Sequence, residues 1–305
     1  MTSLKTKKLI IICGPTGIGK TKLSINLAKH LNCEIVSADS RQLYKQMFIG
    51  TCPPNKDQLK KIKHHFIHNI KIQSDYSAGQ YQKDVQKTIN ILFKKYDTVI
   101  AVGGSGMYID AICNRLDEIP ESRNIRSKII SNFKNKGIEW LRDEIKKFDK
   151  NYYTKVDKNN HQRMIRALEV YKISGKSIFS FQKKQNIKRN YKIIKFGIKT
   201  QREILYKNIN ERVDLMVNEG LIDEVKKLYK YKKFNALNTV GYKEIFDYID
   251  GLISKEEAID LIKRNTRRYA KRQMTWFRKY NDIKWIIKED EKKMIDFILQ
   301  SSQCL

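Results

Sequence analysis

The chain has 305 residues, 41% of them hydrophobic, and carries 62 Lys and Arg against 33 Asp and Glu, a net charge of +29. That content supports a proper core in one large domain or two small ones. The charge favours a polyanionic partner, although a Lys-, Asn- and Ile-rich composition also follows from an AT-rich genome. Five scattered cysteines (Cys13, Cys33, Cys52, Cys113 and Cys304) form no CxxC pair and no Cys/His group at zinc spacing. No run of about eighteen apolar residues exists, so a disulfide framework, a zinc finger and a membrane span are excluded and a reducing, cytoplasmic compartment is expected.

Residues 9–13, LIIIC, read as a short buried strand, and Leu23, Ile25, Leu27, Ala28 and Leu31 give the periodicity of a helix. Between them stands GPTGIGKT: Gly14, Pro15, Thr16, Gly17, Ile18, Gly19, Lys20 and Thr21. Strand, glycine loop and helix in this spacing form a phosphate-binding loop, in which backbone N–H groups turn inward and the helix N-terminus adds positive potential. Lys20 is placed to contact phosphate oxygens and Thr21 to hold Mg²⁺, so a di- or triphosphate is the expected ligand. A second strand at residues 33–39 ends in Asp39, Ser40, Arg41 and Gln42, at the sheet edge where parallel α/β folds bind ligands. His64, His65 and His68 follow without a carboxylate or cysteine at ligand spacing, and read as a solvated or substrate-lining cluster rather than a zinc site.

Residues 77–93 read as a helix with Val85, Ile89 and Leu92 on one face, and residues 98–102 as another buried strand. That strand runs into GGSGMY, where Ser105 supplies a hydroxyl at the same sheet edge as Asp39. Strand signals then vanish. Helical segments around 125–133, 139–148 and 162–173 suggest an insertion over 119–189, within a core of 1–118 and 190–305. Residues 191–198 resume a buried strand, helices follow at 201–218 and 221–231, and Ser254 with Glu257 forms a capping box that starts a helix running to about Tyr280. That helix carries Lys263, Arg264, Arg267, Arg268, Lys271, Arg272, Arg278 and Lys279 and no acid between Ile262 and Tyr280. Charge so unbalanced points to a polyanion contact. The fold class is α/β: a P-loop NTPase-like core with a parallel sheet, plus a helical insertion domain.

Eight stretches together resemble the tRNA dimethylallyltransferases, also called tRNA isopentenyltransferases: GPTGIGKT, SADSRQLY at Ser37, GGSGMY at Gly103, IPESRNIR at Ile119, HQRMIRALEVY at His161, NERVDLMVNEGL at Asn210, TVGYKE at Thr239 and TRRYAKRQMTWFR at Thr266. They occur in family order over nearly the whole chain. The resemblance implies transfer of a dimethylallyl group from dimethylallyl diphosphate to N6 of the adenosine at tRNA position 37, next to the anticodon, with Mg²⁺, by a monomer. It implies catalytic roles for Asp39, Lys20, Thr21 and Arg212, and places Arg126 near the diphosphate or the tRNA. It implies tRNA contacts by Asp39, Ser40, Arg41 and Gln42, by Ser105, and by Gln162, Arg163, Met164, Ile165 and Arg166. Further contacts are implied for Asn238, Thr239, Val240, Gly241, Tyr242 and Lys243, and for Lys271, Arg272, Gln273, Met274, Thr275, Trp276, Phe277 and Arg278. Gly17-Ile18 departs from the Ala-Ser common in the family's loop but keeps the spacing, and no zinc-finger extension follows, which favours a bacterial-type enzyme. The rival readings are a P-loop small-molecule kinase using ATP and a non-catalytic, nucleotide-gated RNA-binding protein.

Overall fold

The structure is a computed structural model that describes residues 6–114, 117–182 and 189–303. In chain order the first unit runs through β1 (Lys7–Cys13), α1 (Lys20–His30), β2 (Ile35–Ser37), α2 (Lys56–Lys61), β3 (His64–His65), α3 (Ala78–Leu92), β4 (Thr98–Gly103) and α4 (Gly106–Cys113). The insertion holds α5 (Arg123–Phe148), α6 (Lys150–Lys155) and α7 (His161–Ser174). The first unit then resumes with β5 (Tyr191–Lys199), α8 (Arg202–Asn218), α9 (Leu221–Leu228), α10 (Tyr242–Ile249), α11 (Lys255–Phe277), β6 (Ile283–Ile287) and α12 (Glu291–Gln303). Two compact units result, Met1–Cys113 with Lys188–Leu305, and Asn114–Ile187.

Among the described residues the six strands make one parallel sheet in the order β3-β2-β4-β1-β5-β6. β1 lies between β4 and β5, with Cys13 opposite both Gly103 and Gly197. Because Leu9 to Cys13 are covered on both faces, the run is continuously apolar rather than alternating. Parallel strands put every C-terminus at one edge, so the loops after β1, β2 and β4 converge there. Gly103 sharpens the convergence: a Cβ on it would lie 2.1 Å from the Ala38 carbonyl oxygen, and the Ala38 N–H donates to the Val102 carbonyl at 2.7 Å.

The core beside the sheet joins Ile10, Ile12, Leu23, Leu27 and Phe196 to Met294 and Ile298 of α12, while a second cluster centres on Tyr242, Phe246, Val225 and Leu237 in the helices after β5. The insertion has its own core of Leu141, Ile145, Met164, Leu168 and Val170. Within it, Gly137 at φ 77° breaks α5 into two rods matching the expected segments 125–133 and 139–148. Half of the expected capping box forms on α11: Ser254 Oγ accepts from the Glu257 N–H at 3.1 Å, while Glu257 itself is exposed. Among the described residues no helix is long and apolar enough to cross a membrane. Cys13, Cys33, Cys52 and Cys113 are free, and Cys304 lies outside the described residues.

Candidate active site

The phosphate loop is made by glycines that must be glycines. Gly17 has φ 79° with Ile209 packed where its Cβ would be, and Gly19 has φ 98° as the N-cap of α1. The first turn of α1 contains no carboxylate, so its positive end stays available for an anion. Lys20 is folded back, with Nζ donating to the Pro15 carbonyl at 2.7 Å. Burial first, and then the cation of Arg212, push the Lys20 ammonium down from its ordinary value to about 8. Two positive side chains thus face each other where a diphosphate would neutralise them. Ile18, by contrast, is 1% exposed and belongs to the core, so its side chain does not meet the ligand.

A cavity of about 1220 Å³ opens at this edge of the sheet. Thr16, Lys20 and Thr21 line it from the loop, Asp39 from the end of β2, Arg212 from α8, and Arg268 and Arg272 from α11. Arg212 donates from Nη1 to Thr16 Oγ1 and from Nη2 to the Cys52 carbonyl, both at 3.3 Å. Its helix neighbours are paired elsewhere, Asp214 with Lys263 at 2.6 Å and Glu211 with Lys207 at 3.9 Å. Among the described residues neither acid therefore pairs with Arg212. Asp39 Oδ1 accepts from the backbone N–H of Arg41 at 2.8 Å and of Gln42 at 3.3 Å, a turn that aims the carboxylate into the cavity. Among the described residues no donor engages Oδ2.

Several expected RNA contacts are instead occupied with the fold. The Arg41 guanidinium bonds the carbonyls of Asn235, Ala236 and Asn238, and Gln42 Nε2 bonds those of Thr51 and Cys52. Ser105, 8% exposed, accepts the Ser40 N–H on its hydroxyl at 3.0 Å. Met164, Ile165, Tyr242, Gln273 and Phe277 are buried, contrary to their expected place on an RNA surface. Each lies on the inward face of a helix whose outward face carries the exposed residues of the same motif. Gln162 and Arg163 on α7, Asn238 and Lys243 beside the cavity, and Lys271, Arg272, Thr275 and Arg278 on α11 remain exposed; Thr239, Val240, Met274 and Trp276 are partly so, and Gly241 is the buried N-cap of α10. Trp276 donates through Nε1 to Asp110 at 3.2 Å. On α11 itself, Lys263 is tied to Asp214 and Arg267 to Asn210 at 2.7 Å, so not every cation of the helix is free for a polyanion.

Arg126 lies in the insertion, paired through Nη1 with Glu169 Oε2 at 3.3 Å. Glu169 is 1% exposed, also pairs with Arg166 at 3.0 Å and accepts the Ser122 N–H at 2.9 Å. Both arginines are thereby oriented by one buried carboxylate.

Of the histidines, His65 bonds Glu34 at 2.5 Å, whereas His64 and His68 line the cavity and burial holds both below the ordinary imidazole value. Among the described residues no three His, Cys, Asp or Glu side chains gather as a metal cluster.

Glu224 on α9 was not singled out by sequence reasoning. Its carboxylate accepts the N–H groups of Phe48, Ile49 and Gly50 at 2.7–3.0 Å and the Tyr242 hydroxyl at 2.7 Å. It thereby clamps the loop whose Cys52 carbonyl holds Arg212. The available signal was Gly50, where a Cβ would lie 2.5 Å from the Tyr242 ring.

Comparison with known proteins places these features in context. The family model described as IPP transferase matches residues 42–280. A tRNA dimethylallyltransferase of Christiangramia forsetii is 48% identical over 292 residues, covering 95% of this chain and 97% of the relative. One from Flavobacterium johnsoniae is 46% identical, covering 97% and 98%. Among solved structures, the tRNA isopentenylpyrophosphate transferase of Bacillus halodurans superimposes with TM-score 0.71 at 36% identity, covering 97% of this chain and 96% of that one. A eukaryotic dimethylallyltransferase captured acting on tRNA gives TM-score 0.77 at 27% identity, covering 97% and 78%.

Proposed function

The chain belongs to the IPP transferase family, and from that premise we propose that it transfers a dimethylallyl group from dimethylallyl diphosphate to N6 of adenosine 37 in tRNA. It is a prenyltransferase that modifies tRNA; the donor, the acceptor atom and the residue roles are the proposal. One observation carries it: Asp39, Lys20, Thr16 and Arg212 line a single cavity, with the exposed Arg268 and Arg272 of a cationic helix on its wall.

The reaction breaks the bond between the prenyl C1 and the diphosphate oxygen and forms one between C1 and N6, releasing diphosphate and a proton. The N–H groups of residues 17–21, Lys20 and Arg212 hold the diphosphate and stabilise the charge it gains on leaving. Lys20 exchanges the Pro15 carbonyl for a phosphate oxygen when the donor enters. The N6 lone pair is delocalised into the purine, so the base must be extruded from its loop and helped by proton removal. Asp39, whose Oδ1 is fixed by two backbone N–H groups, presents Oδ2 for that proton.

Thr21 supplies a hydroxyl oxygen at the cavity wall, in the loop proposed to hold the diphosphate. It would fit Mg²⁺, which needs few protein oxygens and would draw its other ligands from phosphate and water. When bound it supplies further neutralisation of the leaving diphosphate.

Gln162, Arg163, Lys243, Arg268, Lys271, Arg272 and Arg278 are the exposed polar and charged positions proposed to meet the tRNA. The kinase and binding-only readings are not favoured by family membership. Incubation of purified protein with unmodified tRNA, Mg²⁺ and labelled dimethylallyl diphosphate tests the proposal: label should enter the tRNA at position 37. Dimethylallyl label that never enters the RNA, or phosphorylation of a metabolite from ATP, would refute it.

A further inference from the structure

Gln273 sits in the cationic half of α11, directly after the exposed Lys271 and Arg272, yet is itself 6% exposed. Ala270 and Phe277, three residues before and four after it, are fully buried, so Gln273 belongs to the inward stripe of the helix. A buried primary amide needs partners for both its ends. Oε1 accepts from the Thr16 backbone N–H at 2.9 Å, and Nε2 donates to the Gly104 carbonyl at 2.8 Å. Thr16 lies inside the phosphate loop that follows β1, and Gly104 follows β4, so one side chain joins two ligand-edge loops to the helix. The approach is close: a Cβ on Gly104 would stand 2.2 Å from Nε2. Arg212 holds Thr16 from another element by its hydroxyl, which leaves the loop fixed on two sides before any ligand arrives.

We infer that Gln273 is a positioning residue for the diphosphate site, presetting the phosphate loop against the cationic helix, and that it is not an RNA contact. The inference rests on the reading of residues 14–21 as the diphosphate site. Its physical content is preorganisation. Without the amide, Thr16 N–H and Gly104 C=O lose their recorded partner, and the loop must be ordered by the donor itself at the expense of affinity. The RNA-facing side chains of α11 point elsewhere and keep their exposure whatever stands at 273.

Two variants of the full chain test this in the tRNA prenylation assay. Gln273→Leu should raise the KM for dimethylallyl diphosphate roughly tenfold, the scale expected on orphaning a buried donor and acceptor, while the KM for tRNA stays within about twofold. Gln273→Glu keeps an acceptor for Thr16, but its ionised carboxylate cannot donate to Gly104 and repels the diphosphate; protonated, it does both jobs of the amide. The ratio of the Glu variant's donor KM to that of the natural chain should therefore fall as pH drops from about 8 toward about 5. Groups remote from residue 273 titrate alike in both proteins and cancel in the ratio, and below about pH 7 Lys20 is mostly charged in both. A Gln273→Leu variant with raised tRNA KM and unchanged donor KM would make Gln273 an RNA contact and overturn the inference. So would a pH-independent ratio for Gln273→Glu, which decides alone if the Leu variant does not fold. Transfer by the natural chain in the same assay keeps failure of this inference distinct from failure of the prenyl-transfer reading.

Discussion

The roles proposed for Lys20 and Asp39 differ in charge, and each makes a separable prediction. The Lys20 ammonium is lowered to about 8 by burial and by Arg212, and its Nζ rests on the Pro15 carbonyl. A bound diphosphate restores its ordinary preference for the charged form, so the pKa rises on binding. The sign follows: below about 8 the amine is protonated both free and bound, whereas above 8 the free amine is increasingly neutral and binding must take up a proton. Titration calorimetry with dimethylallyl diphosphate, in buffers of different ionisation enthalpy, should find Lys20 taking up only about a tenth of a proton at pH 7 and most of one at about pH 9. Affinity should weaken across that interval. Lys20→Arg, which cannot deprotonate, should lose the uptake. For Asp39 the informative change is to Asn, because the amide oxygen can still accept from Arg41 and Gln42 and preserve the turn. Removing only the base should slow single-turnover transfer by about 10²–10⁴ while the donor KM stays within a few-fold. Normal turnover in Asp39→Asn would dismiss the carboxylate from proton abstraction.

At the scale of elements, α11 shows what a contiguous motif hides. The stretch from Thr266 to Arg278 reads as one RNA-binding run, but a helix turns 100° per residue, so a motif of thirteen residues necessarily has a buried side. Ala270, Gln273 and Phe277 lie on it, and their i, i+3, i+7 spacing was visible in the sequence; the chemical use of Gln273 was not, since its partners are backbone groups more than 150 positions away. The same limit conceals Glu224 and Glu169. Among many lysines each looks like an ordinary solvated acid, and only tertiary packing makes one a clamp for three backbone N–H groups and the other the anchor of two arginines. Strands were legible where burial on both faces left an unbroken apolar run, as in β1 and β4, and in β5 despite Lys192 and Lys195. β3 is two histidines at the sheet edge with no pattern to read, and β6 is a five-residue strand at the other edge whose apolar run Lys284 breaks. The outward face carries its own prediction. Replacing the exposed Arg268, Lys271 and Arg272 with Gln should lower tRNA affinity and reduce the slope of log K against log salt by about 2, since each lost phosphate contact on a single-stranded loop removes about 0.7. Filter binding over a salt series measures it, and an unchanged slope would return those cations to ordinary solvation.

For the whole molecule, the telling fact is where the chain leaves and rejoins the sheet. α4 ends at Cys113 and β5 begins at Tyr191, and Arg189 Nη2 reaches the Ile112 carbonyl at 3.5 Å, so the two ends of the core meet. β5 then pairs with β1 over seven registered positions, from Lys7 opposite Tyr191 to Cys13 opposite Gly197, in a sheet whose hydrogen bonds involve no insertion residue. Each unit has a separate apolar cluster, the insertion's around Leu141, Met164 and Leu168. Loop-closure entropy grows only as the logarithm of loop length, so shortening the excursion between α4 and β5 should slightly favour the core. A chain in which a short Gly/Ser linker replaces residues 114–188 should therefore unfold in one cooperative thermal transition. It should bind dimethylallyl diphosphate within a few-fold of the full chain, because the cavity lining comes entirely from the first unit. It should also fail to prenylate tRNA, since the proposed contacts of Gln162 and Arg163 go with the insertion. Calorimetric unfolding, donor binding and label transfer on the one protein test these in turn. Loss of donor binding in a folded deletion chain would mean that the diphosphate site needs the insertion, and full-rate transfer would mean that the insertion has no part in holding the RNA.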